Sequence, residues 1–447
     1  MMKSKAYAVL IVLAAMILML ACISTSATNT NNEAAVETGG ETVDIPDEES
    51  EPLAEPPGET GEDAGVAPEE ENEPSSEPPS EDAGDGSGPV DLGFRPDVNG
   101  FSFENYSSDA GAQDLTTAEI IRMFGEQVCA TWQDGECILT PPGYQWMEEV
   151  NEAMAGGHCE GLAALSLLFF GEEIQADDFG AGTASDLPFD NELLQREIAF
   201  WWATQSTEPT YGSMITGAPT AILEALLEME PGSETYTIGI YKPDGSDGHA
   251  ITPFAVEDQG DGIYAVLVYD SNYPGETRSL TIDSNADTWA YEASINPDVE
   301  PDLYEGDAET QTLELTPTSA RTGQQECPFC EDESSVSVGR AGLAAPVIRY
   351  NQIFLDGDGH LLIEDDDGNR LGYVDGRLVN EIGGARFTEY KTSSPLDDAP
   401  EPLYWVPQNV NTAITIDASM LSEESSTGLV MIGPGYSFGI EEILLDP

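Results

Sequence analysis

The apolar positions along the chain change period part-way. Between residues 112 and 232 they recur at helical spacing in AQDLTTAEIIRMFGEQVC, PPGYQWMEEVNEAMAGG, HCEGLAALSLLFFGEE, DNELLQREIAFWWATQ and TGAPTAILEALLEMEPG. Each run predicts a helix. Thr116 or Thr117 is placed to cap the first, Pro219 lies near the first turn of the last, and Pro231–Gly232 stop it. Beyond residue 234 the period becomes two. TYTIGIYK, GHAITPFAVED, GIYAVLVYDSN and ETRSLTID predict strands separated by Gly and Asp turns. Helices followed by an antiparallel sheet make an α+β pattern.

Residues 311–340 are polar, hold CPFC, and read as a linker or stapled loop. From about 341 short alternating runs such as PVIRYNQIFLD, TAITIDAS and FGIEEILLD predict a small all-β domain of sandwich type. The DGDGH and EDDDGN turns in it lack the full Asp spacing and closing Glu of a calcium loop. No metal site or cofactor is expected.

The N-terminal segment has a different character. Residues 1–22, MMKSKAYAVLIVLAAMILMLAC, place two lysines before an apolar run that ends in Ala21 and Cys22. This is a secretory signal. Its end resembles a lipobox, which implies lipidation at Cys22; an uncleaved anchor and plain secretion are the alternatives. Residues 23–100 turn Glu-, Pro- and Gly-rich without apolar periodicity, as expected of an extended tether. The folded part is then expected at 101–310 and 341–447, outside the cytoplasm.

Charge narrows the function classes. The 447 residues carry 85 acids against 14 lysines and arginines, a net charge of −71. A surface this negative repels phosphate backbones and anionic lipid headgroups, so nucleic acid is excluded as a partner. The tether accounts for part of this, and 63 acids against 11 bases remain in 101–447. Self-repulsion on that scale points to a salt-adapted, halophilic source, where screening is strong. Lysine is confined to Lys3, Lys5, Lys242 and Lys391.

Six cysteines occur. With Cys22 assigned to lipid, pairing neighbours as Cys129–Cys137 and Cys327–Cys330 leaves Cys159 alone. Zinc on the four paired cysteines lacks a supporting histidine context, and CPFC lacks the strand-before, helix-after setting of a redox dithiol, so structural disulfides are expected.

The lone cysteine opens a helix in GGHCEGLAALSLLFF, His249 follows on the strand GHAITPFAV, and Asp270 ends the next strand in VYDSNYPG. A thiol attacks as its thiolate, which a helix N-terminus and a nearby imidazolium both favour. Asp270 or Asn272 would accept the other ring N–H of His249 and fix its tautomer. Gly156 and Gly157 allow a sharp turn and close approach of a substrate backbone. The backbone N–H of Cys159, unpaired at the helix start, can face a developing oxyanion. His158 points elsewhere, as a cap or substrate contact, while Trp201 and Trp202 read as core.

These segments resemble the papain-like cysteine peptidase superfamily over about 125–300, closest in layout to double-glycine leader peptidases and transglutaminase-like domains. The resemblance implies catalytic Cys159, His249 and Asp270, with Asn272 as the other candidate for the third role. It also implies a Gln six residues before the cysteine for the oxyanion. Here Ala153 stands at that position, which leaves Asn151 or Gln145 as candidates. The expected function is a tethered cysteine hydrolase acting on peptides or proteins through a thioester. Acyl transfer by the same residues and a non-catalytic surface protein that kept the fold are the alternatives. Sequence does not set the oligomeric state.

Overall fold

The computed structural model describes residues 9–10 and 90–447, apart from 244, 246, 295–300, 332–347 and 393–399. The remainder of the signal segment, Cys22 and the tether up to residue 89 lie outside the described residues.

The helices that position the site are α1 (Thr117–Phe124), α2 (Pro141–Ala153), α3 (Cys159–Phe170), α4 (Glu192–Ala203), α5 (Pro219–Leu227) and α6 (Thr318–Thr322). Their starts follow from local chemistry. Thr116 and Glu119 form a reciprocal capping box on α1. Thr140 accepts from Gly143 N ahead of a proline at the start of α2, and Asn191 caps α4. Helix α3 is apolar on nearly every side and buried from Cys159 to Leu168, as such a helix must be. A Cβ on Gly161 would lie 2.1 Å from Ile198 O, so this glycine lets α3 and α4 touch.

The strands are β1 (Val90–Asp91), the hairpin β2 (Cys129–Gln133) and β3 (Glu136–Leu139), β4 (Ile215–Thr216), β5 (Tyr236–Tyr241), β6 (Gly248–Gly260), β7 (Ile263–Tyr269), β8 (Thr277–Asp283), β9 (Thr288–Ala293), β10 (Asp302–Asp307) and β11 (Leu313–Pro317). Apart from the hairpin they form one sheet in the order β10-β9-β8-β7-β6-β5-β11-β4, with β1 added to β6. Every pairing in it is antiparallel. The fold is therefore α+β. Helix α5 covers one part of the sheet through Ile222, Leu223 and Leu226.

Two differences from the sequence expectation stand out. The segment 90–100, grouped with the tether for its composition, belongs to the fold: Val90 pairs with Val256, and Leu92 and Phe94 are buried. The polar stretch 311–340 is also more than a linker. Leu313–Pro317 is a strand between β5 and β4, and Arg321 of α6 is fully buried. Polar composition hid both because short strands need few apolar residues and because the buried arginine is paired. The first predicted helix also ends at Phe124, and Cys129 begins a hairpin instead.

The C-terminal part has two antiparallel sheets. One runs Arg386–Thr388, Leu403–Pro407, Tyr350–Gly357, Ser425–Gly433, Tyr436–Leu445. Thr412–Asp417, His360–Asp365, Arg370–Val374 and Arg377–Asn380 lie in the other. Ile353 and Tyr404 of the first pack with Leu361, Ile363 and Leu371 of the second in one core. A separate apolar cluster joins this sandwich to the helices, with Phe354, Trp405 and Ile432 among Trp146, Val150 and Trp202. Cys129–Cys137 and Cys327–Cys330 form disulfides. No helix among the described residues is long and apolar enough to cross a membrane.

Candidate active site

Helix α3 crosses the sheet so that its first residue meets the start of β6. Cys159, Ala163 and Ala250 form a small buried cluster there, and Cys159 Sγ accepts from Ala250 N at 3.4 Å. His249 and Asp270 sit on adjacent antiparallel stretches, and β6 and β7 pair Thr252 with Tyr269, one residue before Asp270. His249 Nε2 lies 2.8 Å from Asp270 Oδ1. The other ring nitrogen, Nδ1, is buried and has no hydrogen-bond partner. The Cys159 thiol is close enough for its charge and that of the ring to favour each other.

Asp270 is held from two further directions. Tyr291 on β9 donates to Oδ2 at 2.6 Å, and the Asn272 backbone N–H donates to Oδ1 at 2.8 Å. Burial pushes this carboxyl up, but the His249 charge and these hydrogen bonds bring it below its ordinary value. Burial pulls His249 down, yet Asp270 and the thiolate lift it well above the usual histidine range. Burial dominates at Cys159 and pushes the thiol up, against the opposing pull of His249. Cys159 is the free cysteine among the described residues.

The other sequence candidates divide. Asn272 sends its side-chain amide to Ser294 O, so the ring partner of His249 is Asp270. Asn151 exchanges both amide groups with the Leu115 backbone, and Gln145 donates to Glu149. Neither amide is directed to Cys159. His158 is buried, stacks on Tyr106, and bridges Tyr106 O and Asp114 Oδ1. It anchors the loop before α3 and is the residue at the helix N-cap.

Asn105 was not among those candidates. Its Oδ1 accepts from His158 N at 2.8 Å, its own N–H donates to Ser271 O, and its Nδ2 donates to the Thr392 carbonyl at 2.9 Å. Asn105 thus ties the turn before Cys159, through its side-chain oxygen, to the turn after Asp270, through its backbone N–H, while its Nδ2 donates to Thr392 O. Gly157 lies beside it: a Cβ there would fall 2.0 Å from Thr392 O. The Cys159 backbone N–H, in the first turn of α3, has no acceptor within its helix.

A buried ionic cluster lies behind the nucleophile. Glu160, next to Cys159, is bonded by Arg321, which also reaches Thr204 Oγ1 at 2.8 Å and Thr237 Oγ1 at 2.9 Å. Lys391 Nζ lies 2.6 Å from Glu314 Oε1 and 3.8 Å from Glu160 Oε1. Burial pushes Glu160 up, but the two cations more than offset this and leave it below its ordinary value. No group of three or more His, Cys, Asp or Glu side chains among the described residues is arranged to hold a metal ion.

Comparison with protein-family models, curated proteins and solved structures finds no match to this chain.

Proposed function

We propose that the chain is a cysteine hydrolase of papain-like type, most readily a peptidase, working outside the cytoplasm on a lipid tether at Cys22. The observation that carries this reading is the placement of His249 between Asp270 and a thiol at a helix start. Each member has a role there. Asp270 orients the ring and stabilises its charge, His249 takes and returns the proton, and Cys159 forms the thioester. Asn105 Nδ2 and the Cys159 backbone N–H supply the two donors for the oxyanion, the role that Ala153 cannot fill. The two disulfides suit an oxidising compartment, and the acidic surface suits salt-rich surroundings. Acyl transfer would pass through the same thioester and differ in the acceptor that resolves it.

The test is incubation with a mixture of casein-derived peptides, read by mass spectrometry. Peptides disappear with the wild-type chain and persist with Cys159→Ala and His249→Ala. Equal cleavage by all three, or by none, would remove the reading.

A further inference from the structure

The sandwich face that packs on α2 carries an acid among its apolar residues. Along Tyr350–Gly357, Ile353 and Leu355 enter the sandwich core, while Phe354 turns to the helices. Strand alternation puts Gln352 and Asp356 on the side of Phe354. Gln352 fixes the register of this contact. Its Oε1 accepts from Trp146 Nε1 of α2 at 2.9 Å, and its Nε2 donates to Ser206 O at 3.3 Å. Glu149 lies three residues beyond Trp146 on the same face of α2 and meets the Asp356 carboxyl there. Gly428 pairs with Asp356 across the sheet, and a Cβ on it would lie 3.2 Å from Asp356 Oδ2. A larger residue would crowd that carboxylate.

Two carboxylates that face each other repel unless a proton or a cation lies between them. Neither is paired with a lysine or arginine among the described residues. Gln145 donates to Glu149 Oε1, but Oε2 is buried and has no hydrogen-bond partner. Two hydroxyls share that condition. Glu149, Ser206 and Tyr390 are 4%, 0% and 5% exposed, and neither Ser206 Oγ nor Tyr390 OH has a hydrogen-bond partner. These groups are neighbours: both carboxylates push the Tyr390 hydroxyl up, and the Ser206 hydroxyl beside it pulls it down. A packing contact between α2 and the sandwich needs none of them. Four oxygen-bearing side chains, two of them carboxylates, are the donor set of a hard cation. Two carboxylate charges match a divalent ion.

We propose that Glu149, Asp356, Ser206 and Tyr390 form a calcium site that clamps α2 to the sandwich. Asp356 is partly exposed, which gives the ion a way in and leaves room for water to complete its shell. In calcium-free solution the two carboxyls share a proton, and calcium displaces it. The clamp is separate from Cys159, His249 and Asp270, so the proposal stands apart from the hydrolase reading.

The test is thermal unfolding and calorimetric titration of the full chain with CaCl2, after EDTA treatment, in NaCl high enough to screen diffuse attraction of calcium to the acidic surface. Calcium should raise the wild-type midpoint and bind at one tight site. Glu149→Gln and Asp356→Asn, which keep the shapes and remove one charge each, should bind calcium at least about tenfold more weakly. Glu148→Gln, on the exposed side of the same helix, should bind it as the wild type does. No calcium-dependent shift in the wild type would overturn the site. An equal shift in the wild type and Glu149→Gln would do so as well, since calcium would then be held by other acids. An equal shift with MgCl2 would overturn the assignment to calcium.

Discussion

His249 Nε2 lies 2.8 Å from Asp270 Oδ1, and both side chains are fully buried. A carboxylate without solvent needs its bonds, and this one draws them from His249, Tyr291 and Asn272 N. The imidazole is thereby fixed with Nδ1 left for the thiol. Asp270→Asn keeps the shape and loses the charge. It should slow cleavage by about 100-fold or more, measured as the rate of peptide-bond hydrolysis. Tyr291→Phe removes one bond to the carboxylate and should cost about tenfold, a graded loss that marks Tyr291 as a positioning residue.

Asn105 acts through its two amide atoms in different ways, and one substitution separates them. Asn105→Asp retains the oxygen that accepts from His158 N but removes the donor to the Thr392 carbonyl. Hydrolysis should fall about 100- to 1,000-fold, the usual cost of one oxyanion donor, with the thermal midpoint lowered little by comparison. Equal hydrolysis by the variant and the wild type would remove Asn105 from the oxyanion site.

The layout of the candidate site was legible in the sequence because each part has a local signature. A glycine-led cysteine before an apolar helix, a Gly-His strand and an Asp-ended strand are all visible as short strings. Asn105 has no such signature. It lies in a polar loop far upstream of Cys159 and reaches the site because its N–H pairs with Ser271 O. The amides visible in sequence near Cys159, Asn151 and Gln145, lie on the preceding helix and are engaged with Leu115 and Glu149. Lys391 did carry a signal, the scarcity of lysine. Its meaning depended on Glu160 and Glu314, which lie far apart in sequence. Arg321 was masked in the same way by the polar run around it.

Arg321 and Glu160 are both fully buried, so breaking the pair by removing one partner should be costly. Arg321→Met leaves Glu160 without its main partner and should lower stability by about 3–5 kcal/mol. The exposed pair Arg370–Glu381 provides the comparison: Arg370→Ala should change stability far less. Urea unfolding of the two variants measures both.

Glu149 on α2 faces Asp356 of the sandwich. Burial and this carboxyl neighbour push its pKa up to about 9. A folded-state value above the unfolded one means that the contribution is fully present below about 4.5 and is lost as pH rises through about 9. Glu149→Gln keeps a neutral side chain at every pH. Its thermal midpoint should match the wild type near pH 4.5 and exceed it at pH 8, by more than about 1 kcal/mol in stability, since one pKa unit is about 1.4 kcal/mol. A difference that shrinks as pH rises would contradict this.

The most direct measurement of the central claim is the rate at which iodoacetamide alkylates Cys159 at neutral pH, in the wild type and in His249→Ala. Cys159 is fully buried in the wild type, and His249→Ala removes bulk beside it and eases access, so a faster wild type reports activation by the imidazole. The wild-type thiol should react at least about tenfold faster. Equal rates in the two folded proteins would contradict a Cys159–His249 nucleophile.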